Sequence, residues 1–253
     1  MLETPIAVIG TIDSSGGAGI NQDIRVAALF GYSPLVCVAN LSLQSSRGVE
    51  YIHPLEEDVF EANLRAVLHS NDLRYVKIGA LNTVEQIRLL TKYLARTRAY
   101  KVILDPVIRA SHGKAFLDEA GISELKKLIR QVDYLSPNLP ELEMLCGKQA
   151  RDFRVAKELA RSYAGELGLS ILLKGGHIDA EDIEEAFVSP DAILSFGHPR
   201  RNWQYSHGTG CALAMAFCCY LQQGIADTEA FQKASRWVLG FYDKLNGIAE
   251  SCC

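Results

Sequence analysis

Residues 5–30 read PIAVIGTIDSSGGAGINQDIRVAALF and predict a strand, a glycine-rich turn and a helix in direct succession. The apolar run Pro5–Ile9 has the length of a buried strand, and Gly17–Phe30 has the pattern of a helix that ends before Gly31. Glycines in such a turn let backbone N–H groups approach a ligand, and a helix N-terminus attracts negative groups. The run matches neither the G-x-G-x-x-G nor the Walker A motif, so a tight turn without a ligand remains an alternative.

Outward from this segment, short apolar runs alternate with longer helical patterns along the chain. We expect strands at 35–39, 75–78, 102–104, 134–135 and 170–173, a hairpin at 186–188 and 192–196, and helices at 57–69, 84–95, 119–129, 153–165, 208–222 and 228–246. A further short helix should open at Asn138. This alternation indicates βαβ units, so the predicted fold class is α/β, with a mainly parallel central sheet covered by helices on both faces.

Polar residues lie at or just after the ends of the predicted strands. They are Asp13, Gln44, Lys77, Asp105, Asn138 and Lys174. In open parallel sheets, ligands bind beyond the carboxyl ends of the strands. We therefore expect these residues to collect on one rim of the sheet and to mark the binding site.

The composition excludes several classes of protein. With 48% hydrophobic and 22% charged residues, the 253-residue chain resembles a soluble globular protein. Its net charge of -4 and the absence of a basic stripe argue against a nucleic-acid partner. The longest apolar stretch, Ala212–Leu221, is too short to span a membrane, which takes ~20 residues, and the N-terminus lacks the pattern of a signal peptide. The seven cysteines contain no C-x-x-C pair, so no zinc site is indicated. Because the chain shows neither a signal peptide nor a membrane span, we expect a cytoplasmic location.

The run Ser206–Cys211, SHGTGC, precedes an apolar helix and carries the strongest chemical signal. Gly208, Thr209 and Gly210 at a helix start would offer several N–H donors around one point, which suits the charge on a phosphoryl group in transfer. Cys211 would lie beside the attacking hydroxyl, where the helix start should lower the pKa of its thiol. It could act as a base or as a positioning group. The alternative is a small residue packed under a glycine turn.

Two further sets of polar residues suit a nucleotide and its metal ion. Lys174 follows a buried strand and precedes two glycines, a setting that suits contact with phosphates, although a solvated lysine in an ordinary turn is the alternative. Asp105, Asn138 and Glu141 carry hard oxygen ligands of the kind that Mg²⁺ prefers, often through water, and each alone could equally be a cap or a turn. Without a His or Cys cluster, a transition metal is not indicated.

Asp23 and Gln44 could recognise a heteroaromatic ring. A carboxylate on the first helix and an amide after the second strand can match the donor and acceptor edge of an aminopyrimidine. The alternatives are a salt-bridged residue on the helix surface for Asp23 and a polar loop residue for Gln44.

Together these segments resemble the ribokinase-like superfamily, and within it the hydroxymethylpyrimidine/phosphomethylpyrimidine kinases of thiamin synthesis. The resemblance is carried by residues 13–19, 76–79, 105–107, 136–141, 174–177 and 207–211, together with Gln44, in an order that fits nearly the whole chain. The run Gly-Thr-Gly-Cys is specific, because sugar kinases of the superfamily usually carry Asp at its last position. The resemblance implies a single three-layer α/β/α domain over residues 1–253, the cofactors ATP and Mg²⁺, and a homodimer.

The resemblance also implies a role for each matching residue. Lys174, Thr209 and the Gly208 and Gly210 amides would hold phosphate, with Cys211 at the acceptor hydroxyl. Asn138 would contribute to the nucleotide site, and Asp105 and Glu141 would organise the metal and its waters. The residues expected around the pyrimidine are Asp23, Gln44, Thr11, Gly19, Ala80 and Val107.

Several positions depart from the family's pattern. Thr11 replaces a glycine near the ring, Ala80 stands where the family usually has Met, and Arg109 and Lys114 add positive charge near the Asp105 loop. A Met-to-Ala change removes atoms from a pocket wall, so the site could admit a larger ring or lose affinity. Three hypotheses follow: a kinase for hydroxymethylpyrimidine and its monophosphate, a kinase for pyridoxal or another heteroaromatic alcohol, and an inactive ligand-binding regulator.

Overall fold

The computed structural model describes residues 6–45, 48–70, 72–95, 99–109, 115–176 and 181–248. The strands are β1 (Ile6–Asp13), β2 (Leu35–Ser45), β3 (Gly48–Pro54), β4 (Tyr75–Ile78), β5 (Lys101–Leu104), β6 (Tyr134–Leu135), β7 (Ser170–Leu173), β8 (Asp182–Val188) and β9 (Ile193–Pro199). The helices are α1 (Gly19–Leu29), α2 (Glu57–Leu68), α3 (Val84–Leu94), α4 (Glu119–Ile129), α5 (Leu139–Cys146), α6 (Phe153–Leu167), α7 (Thr209–Gln222) and α8 (Asp227–Leu245). Lys114 lies outside the described residues.

The strands of the described chain form one sheet in the order β3-β2-β1-β4-β5-β6-β7-β8-β9. Strands β2, β1, β4, β5, β6 and β7 are parallel to their neighbours, while β3 at one edge and β8 and β9 at the other are antiparallel. Helices α2 to α6 cover one face and α1, α7 and α8 the other. The predicted three-layer α/β/α fold with a mainly parallel sheet is confirmed.

Strand β1 shows why the sheet needs two covering layers. Ile6, Ala7, Val8 and Ile9 are all fully buried, and they alternate between the two hydrophobic clusters. A strand with apolar residues on both faces is stable only between two layers of helices. In the part of the chain that the structure describes, no helix is both long and apolar enough to cross a membrane.

The ends of several strands differ from the prediction. β1 runs on to Asp13, and β2 continues past Ala39 to Ser45, where its outer half pairs with the unpredicted strand β3. In this outer half the usual pattern is inverted: Leu41 and Leu43 are exposed, whereas Ser42 between them is buried. Gln44 therefore lies within β2 and not after it, and its side chain is outside what the structure describes.

Candidate active site

A cavity of about 680 Å³ lies at the carboxyl ends of the parallel strands. The predicted site residues that line it are Thr11, Gly19, Ala80, Asp105, Val107, Asn138, Glu141, Lys174, Gly208, Thr209, Gly210 and Cys211. The structure thus brings together on one rim residues that are up to 200 positions apart in the chain, as the strand-end rule predicts.

The start of α7 forms one wall of this cavity. Its N-cap is Gly208, with a φ of 83°, and no side chain caps this end of the helix. A Cβ on Gly208 would lie 2.0 Å from the carbonyl oxygen of Gly17, so only glycine fits here. Since the first N–H groups of a helix have no partner within it, this end presents backbone donors to the cavity.

The first glycine turn is held against α7 by Asp13 and His207. The Asp13 carboxylate accepts hydrogen bonds from the Ser15 and Ala18 amides and lies 2.8 Å from Nε2 of His207. Burial raises the pKa of Asp13, but the hydrogen bonds from His207 and Ser15 outweigh burial and leave it below its usual value. The charged carboxylate therefore fixes the turn that closes over the start of α7.

Lys174 reaches the same helix start from the end of β7. Its Nζ lies 2.9 Å from Oδ1 of Asp105 and 4.0 Å from Oε2 of Glu141, and a Cβ on Gly210 would be 3.4 Å from it. Burial lowers the pKa of Lys174, yet the charges of Asp105 and Glu141 raise it by more, so the amine stays protonated. A cation and the N–H donors of α7 thus face one point, as an anionic phosphate chain requires.

Asn138 and Glu141 form the start of α5. The Asn138 side chain accepts from the Glu141 amide at 2.9 Å, and Oε2 of Glu141 accepts from the Asn138 amide at 2.8 Å, which is a capping box. Burial raises the pKa of Glu141 to about 7, with Lys174 acting in the opposite direction. These oxygens are therefore partly engaged, and any contact with a metal ion would use the remaining lone pairs or water.

The oxygen ligands near Lys174 suit a Mg²⁺ ion that binds together with its waters and substrate phosphates. Within the described ranges no group of three or more His, Cys, Asp or Glu side chains could hold an ion, and the carboxylates of Asp105 and Glu141 flank Lys174. Mg²⁺ commonly binds through one or two carboxylates and completes its shell with waters and substrate phosphates. Asp105 and Glu141 supply that minimal set of oxygens.

Thr11, Ala80 and Val107 line the cavity near the ends of β1, β4 and β5. The Thr11 hydroxyl donates to the Ala80 carbonyl at 3.0 Å and accepts from Nδ2 of Asn40 at 3.0 Å. Gln86 in turn donates to Oδ1 of Asn40 at 3.2 Å. The hydroxyl of Thr11 is therefore used within the protein, and what it adds to the pocket is bulk.

Comparison with known proteins identifies the family. The phosphomethylpyrimidine kinase family matches residues 13–247. The chain belongs to this family. The match confirms the resemblance that the motifs indicated.

Individual members of the family extend the match. A hydroxymethylpyrimidine/phosphomethylpyrimidine kinase of Aquifex aeolicus is 31% identical over 209 residues, which are 82% of either chain. The crystal structure of a phosphomethylpyrimidine kinase from Clostridium difficile superposes with a TM-score of 0.82 at 26% identity and covers 94% of this chain and 99% of that one. A thiamine biosynthesis multifunctional protein of Corynebacterium efficiens is 35% identical over 92% of this chain, yet the chain spans only 32% of that protein's length.

For this kinase-family chain, the structure corrects the prediction that Asp23 contacts a ring. Asp23 is 1% exposed, does not line the cavity, and accepts hydrogen bonds from Nζ of Lys77 at 3.0 and 2.9 Å. Burial raises the pKa of Asp23 to about 6 against the opposing charge of Lys77, whose own pKa is also raised, so both groups are charged at neutral pH. Asp23 is half of a buried ion pair beneath the site. The predicted role of Gln44 stays a prediction.

The expected state of Cys211 was also wrong. Burial raises the pKa of its thiol to about 11, although Lys77 and a hydrogen bond from the Gly19 amide act in the opposite direction. At neutral pH the group is a thiol and not a thiolate, because desolvation outweighs both favourable contacts. Its position at the first turn of α7, on the cavity wall, is as predicted.

The part of the cavity between β8, β9 and α8 was not foreseen. It is lined by Ile183, Glu185, His198, Arg200, Arg201, Trp203, Ser235, Val238 and Leu239. Asp243 of α8 organises one side, since its carboxylate accepts from Nε1 of Trp203 at 2.8 Å and from Nε of Arg201 at 3.3 Å. These residues come from β8, β9, the segment that follows β9, and α8, and they share no local motif, so the sequence offers no signal that would group them.

Proposed function

We propose that the chain phosphorylates the hydroxymethyl group of 4-amino-5-hydroxymethyl-2-methylpyrimidine, and then its monophosphate, with ATP and Mg²⁺ in thiamin synthesis. The observation that carries this proposal is that Lys174 meets the uncapped start of α7 at the wall of a cavity of about 680 Å³, which Thr11, Ala80 and Val107 also line. Family membership supports the reaction class.

In the proposed mechanism the backbone of α7 stabilises the phosphoryl group in transfer. The amides at Thr209, Gly210 and Cys211 would bind its equatorial oxygens, and Lys174 would offset charge on the triphosphate. Because these donors are held by the fold, they need little reorganisation as charge develops. Asp105 and Glu141 would hold Mg²⁺ through water, and the ion would supply charge neutralisation between the phosphates.

Cys211 is proposed to orient the acceptor hydroxyl. A thiol whose pKa is about 11 is a poor base at neutral pH, but phosphoryl transfer through a loose transition state needs little base strength. Its position at the first turn of α7 would hold the attacking oxygen in line with the phosphoryl group.

The experiment is a screen of pyrimidine and pyridine alcohols for ADP formation, with the product masses measured. We expect one and then two phosphoryl groups on the hydroxymethylpyrimidine. Cys211→Ala should lower turnover by more than it weakens ATP binding; equal losses in both, or unchanged turnover, would contradict the orienting role. ADP formation that depends on added pyrimidine would exclude the inactive regulator.

A second candidate is a kinase for pyridoxal or a similar alcohol. Ala80 leaves room on the pocket wall, and the Thr11 hydroxyl is already bonded within the protein, so the ring end is shaped mainly by bulk. Turnover of pyridoxal and of hydroxymethylpyrimidine, measured side by side, separates the two candidates. The homodimer and the cytoplasmic location remain predictions, and sedimentation of the purified chain tests the first.

A further inference from the structure

Glu185 on β8 carries a buried oxygen atom without a partner. The residue is 7% exposed and lines the cavity, yet Oε2 makes no hydrogen bond to any of the described residues. Buried acceptors in folded proteins nearly always have a donor, and the exceptions often mark a site for a ligand or a bound molecule. The cavity is where such a donor can come from.

The surroundings of Glu185 indicate which part of a ligand it meets. The pairing of β7 with β8 ends at Leu173 and Ala186, so Lys174 and Glu185 come next on the two neighbouring strands. The Ser235 hydroxyl hydrogen-bonds Glu185, and the charges of His198 and Lys174 act on it. Glu185 therefore lies beside the lysine that faces the start of α7.

Apolar side chains also line the cavity on β8 and α8. Ile183 on the same strand and Val238 and Leu239 on α8 supply hydrocarbon wall. The cavity thus combines the cation and N–H donors, the unpartnered carboxylate oxygen of Glu185 next to them, apolar side chains, and the basic side chains of His198, Arg200 and Arg201. A nucleotide has parts that match the first three: phosphates, a ribose with hydroxyl donors, and a flat base.

We propose that Oε2 of Glu185 accepts a hydrogen bond from a ribose hydroxyl of the bound nucleotide, so that Glu185 makes the enzyme prefer ribonucleotides to deoxyribonucleotides. A carboxylate is an acceptor only, and binding of ribose hydroxyls by acidic side chains is well known from dinucleotide-binding folds. The proposal rests on the proposed function, since it takes the nucleotide to lie with its phosphates at Lys174 and α7.

The test compares ATP with 2′-deoxy-ATP and 3′-deoxy-ATP in the wild type, Glu185→Ala and Glu185→Gln. Affinities are measured by calorimetry without the acceptor alcohol, and kcat/KM where turnover occurs. We expect the wild type to prefer ATP over one of the deoxy nucleotides by about tenfold to hundredfold, the effect of one hydrogen bond to a charged group. In Glu185→Ala this preference should vanish, because ATP falls to the level of the deoxy nucleotide. Glu185→Gln should keep part of it through its amide oxygen.

Asp182→Ala is the matched control, since Asp182 is an exposed carboxylate on the same strand and should leave the preference unchanged. A wild type that does not distinguish the deoxy nucleotides, or a Glu185→Ala variant that still does, would overturn the proposal. The proposal would also be overturned if Glu185→Ala kept its preference for ATP over the deoxy nucleotides but lost a preference over purine riboside triphosphate, which lacks the 6-amino group. Glu185 would then bind the base and not the ribose. If no alcohol is phosphorylated, the proposed function fails while the calorimetry still decides the role of Glu185; if no nucleotide binds, both fail.

Discussion

The ion pair of Lys77 with Asp23 gives the most direct test of the physical reasoning. Both side chains are almost wholly buried, at 0% and 2% exposed, and both carboxylate oxygens lie within 3.0 Å of the amine. Lys77→Met removes one charge and leaves the other buried without its partner. Such a change typically costs about 3–5 kcal/mol, a large share of the ~5–15 kcal/mol by which a domain is stable.

The assay is urea unfolding followed by circular dichroism at pH 8.0 and pH 5.5. In the single variant the lone Asp23 should take up a proton, since burial already raises its pKa to about 6 even beside Lys77. When the pKa of an acidic group is higher in the folded state than in the unfolded state, the free energy of unfolding of the protein decreases as the pH rises. The deficit of Lys77→Met should therefore be largest at pH 8.0 and shrink by up to ~1.4 kcal/mol per pH unit on acidification.

The double variant Lys77→Met/Asp23→Leu removes both charges and should recover most of the loss, because two apolar side chains need no partner. As a control, Arg154→Met breaks an exposed i,i+4 pair with Glu158 and should cost under about 0.5 kcal/mol. A double variant as unstable as the single one, or a deficit that does not depend on pH, would refute the reasoning, because shape and not charge would then dominate.

Three more predictions concern the walls of the cavity. Gly210→Ala should fold normally, because its Cβ would lie 3.4 Å from Nζ of Lys174, about an ordinary contact distance, but its methyl group would occupy the space between α7 and the lysine and should lower activity at least tenfold. Gly208→Ala should instead cost ~2 kcal/mol or more in urea unfolding, because φ is 83° and the Gly17 backbone blocks its Cβ. Burial raises the pKa of Glu141 from the usual 4.5 to about 7 in the folded state, so the free energy of unfolding without ligands should fall by up to about 3 kcal/mol between pH 4.5 and 8. Glu141→Gln should flatten that fall. Parallel plots of unfolding free energy against pH for the wild type and the variant would contradict this prediction. Alkylation of Cys211, followed by peptide mass spectrometry, should quicken about tenfold per pH unit from pH 7 to 10, and a plateau below pH 9 would show a more acidic thiol.

The place of several residues on the rim of the sheet was predictable, because it follows from a simple rule, whereas the partners of individual residues were not. Asp105 and Lys174 each stand next to a buried run, so their place on the rim follows from topology alone. That Asp23 would pair with Lys77 could not be read from the sequence, because the two residues are 54 positions apart and no local pattern links a residue of α1 with one of β4. The prediction of a lowered pKa for the Cys211 thiol failed for a related reason. Desolvation depends on how many atoms surround a group, and the position at a helix start does not fix that number.

The outer half of β2 shows a second limit. Residues 40–43 alternate in the period of a strand, but the polar members face inward: Asn40 and Ser42 are buried, whereas Leu41 and Leu43 are exposed. A rule that assigns apolar residues to the interior therefore misjudges this segment, since its inner face borders a polar cavity that Ser42 lines. Departures of this kind are expected beside a binding site, where local preference gives way to function.

The charges around Lys174 lead to a last expectation about the nucleotide. The charges of Asp105, Glu141 and Glu185 all interact with this one amine, so much of the positive charge of Lys174 is already offset before a nucleotide binds. A triphosphate would add about four negative charges to that point, and charges at ~4 Å repel by about 4 kcal/mol each at an effective dielectric constant of 20. We therefore expect ATP to bind as its magnesium complex, with affinity at least a hundredfold weaker when the ion is chelated. Asp105→Asn removes one of the opposing charges and should reduce this dependence; an unchanged affinity for free ATP in the wild type would show that the N–H donors of α7 and Lys174 suffice alone.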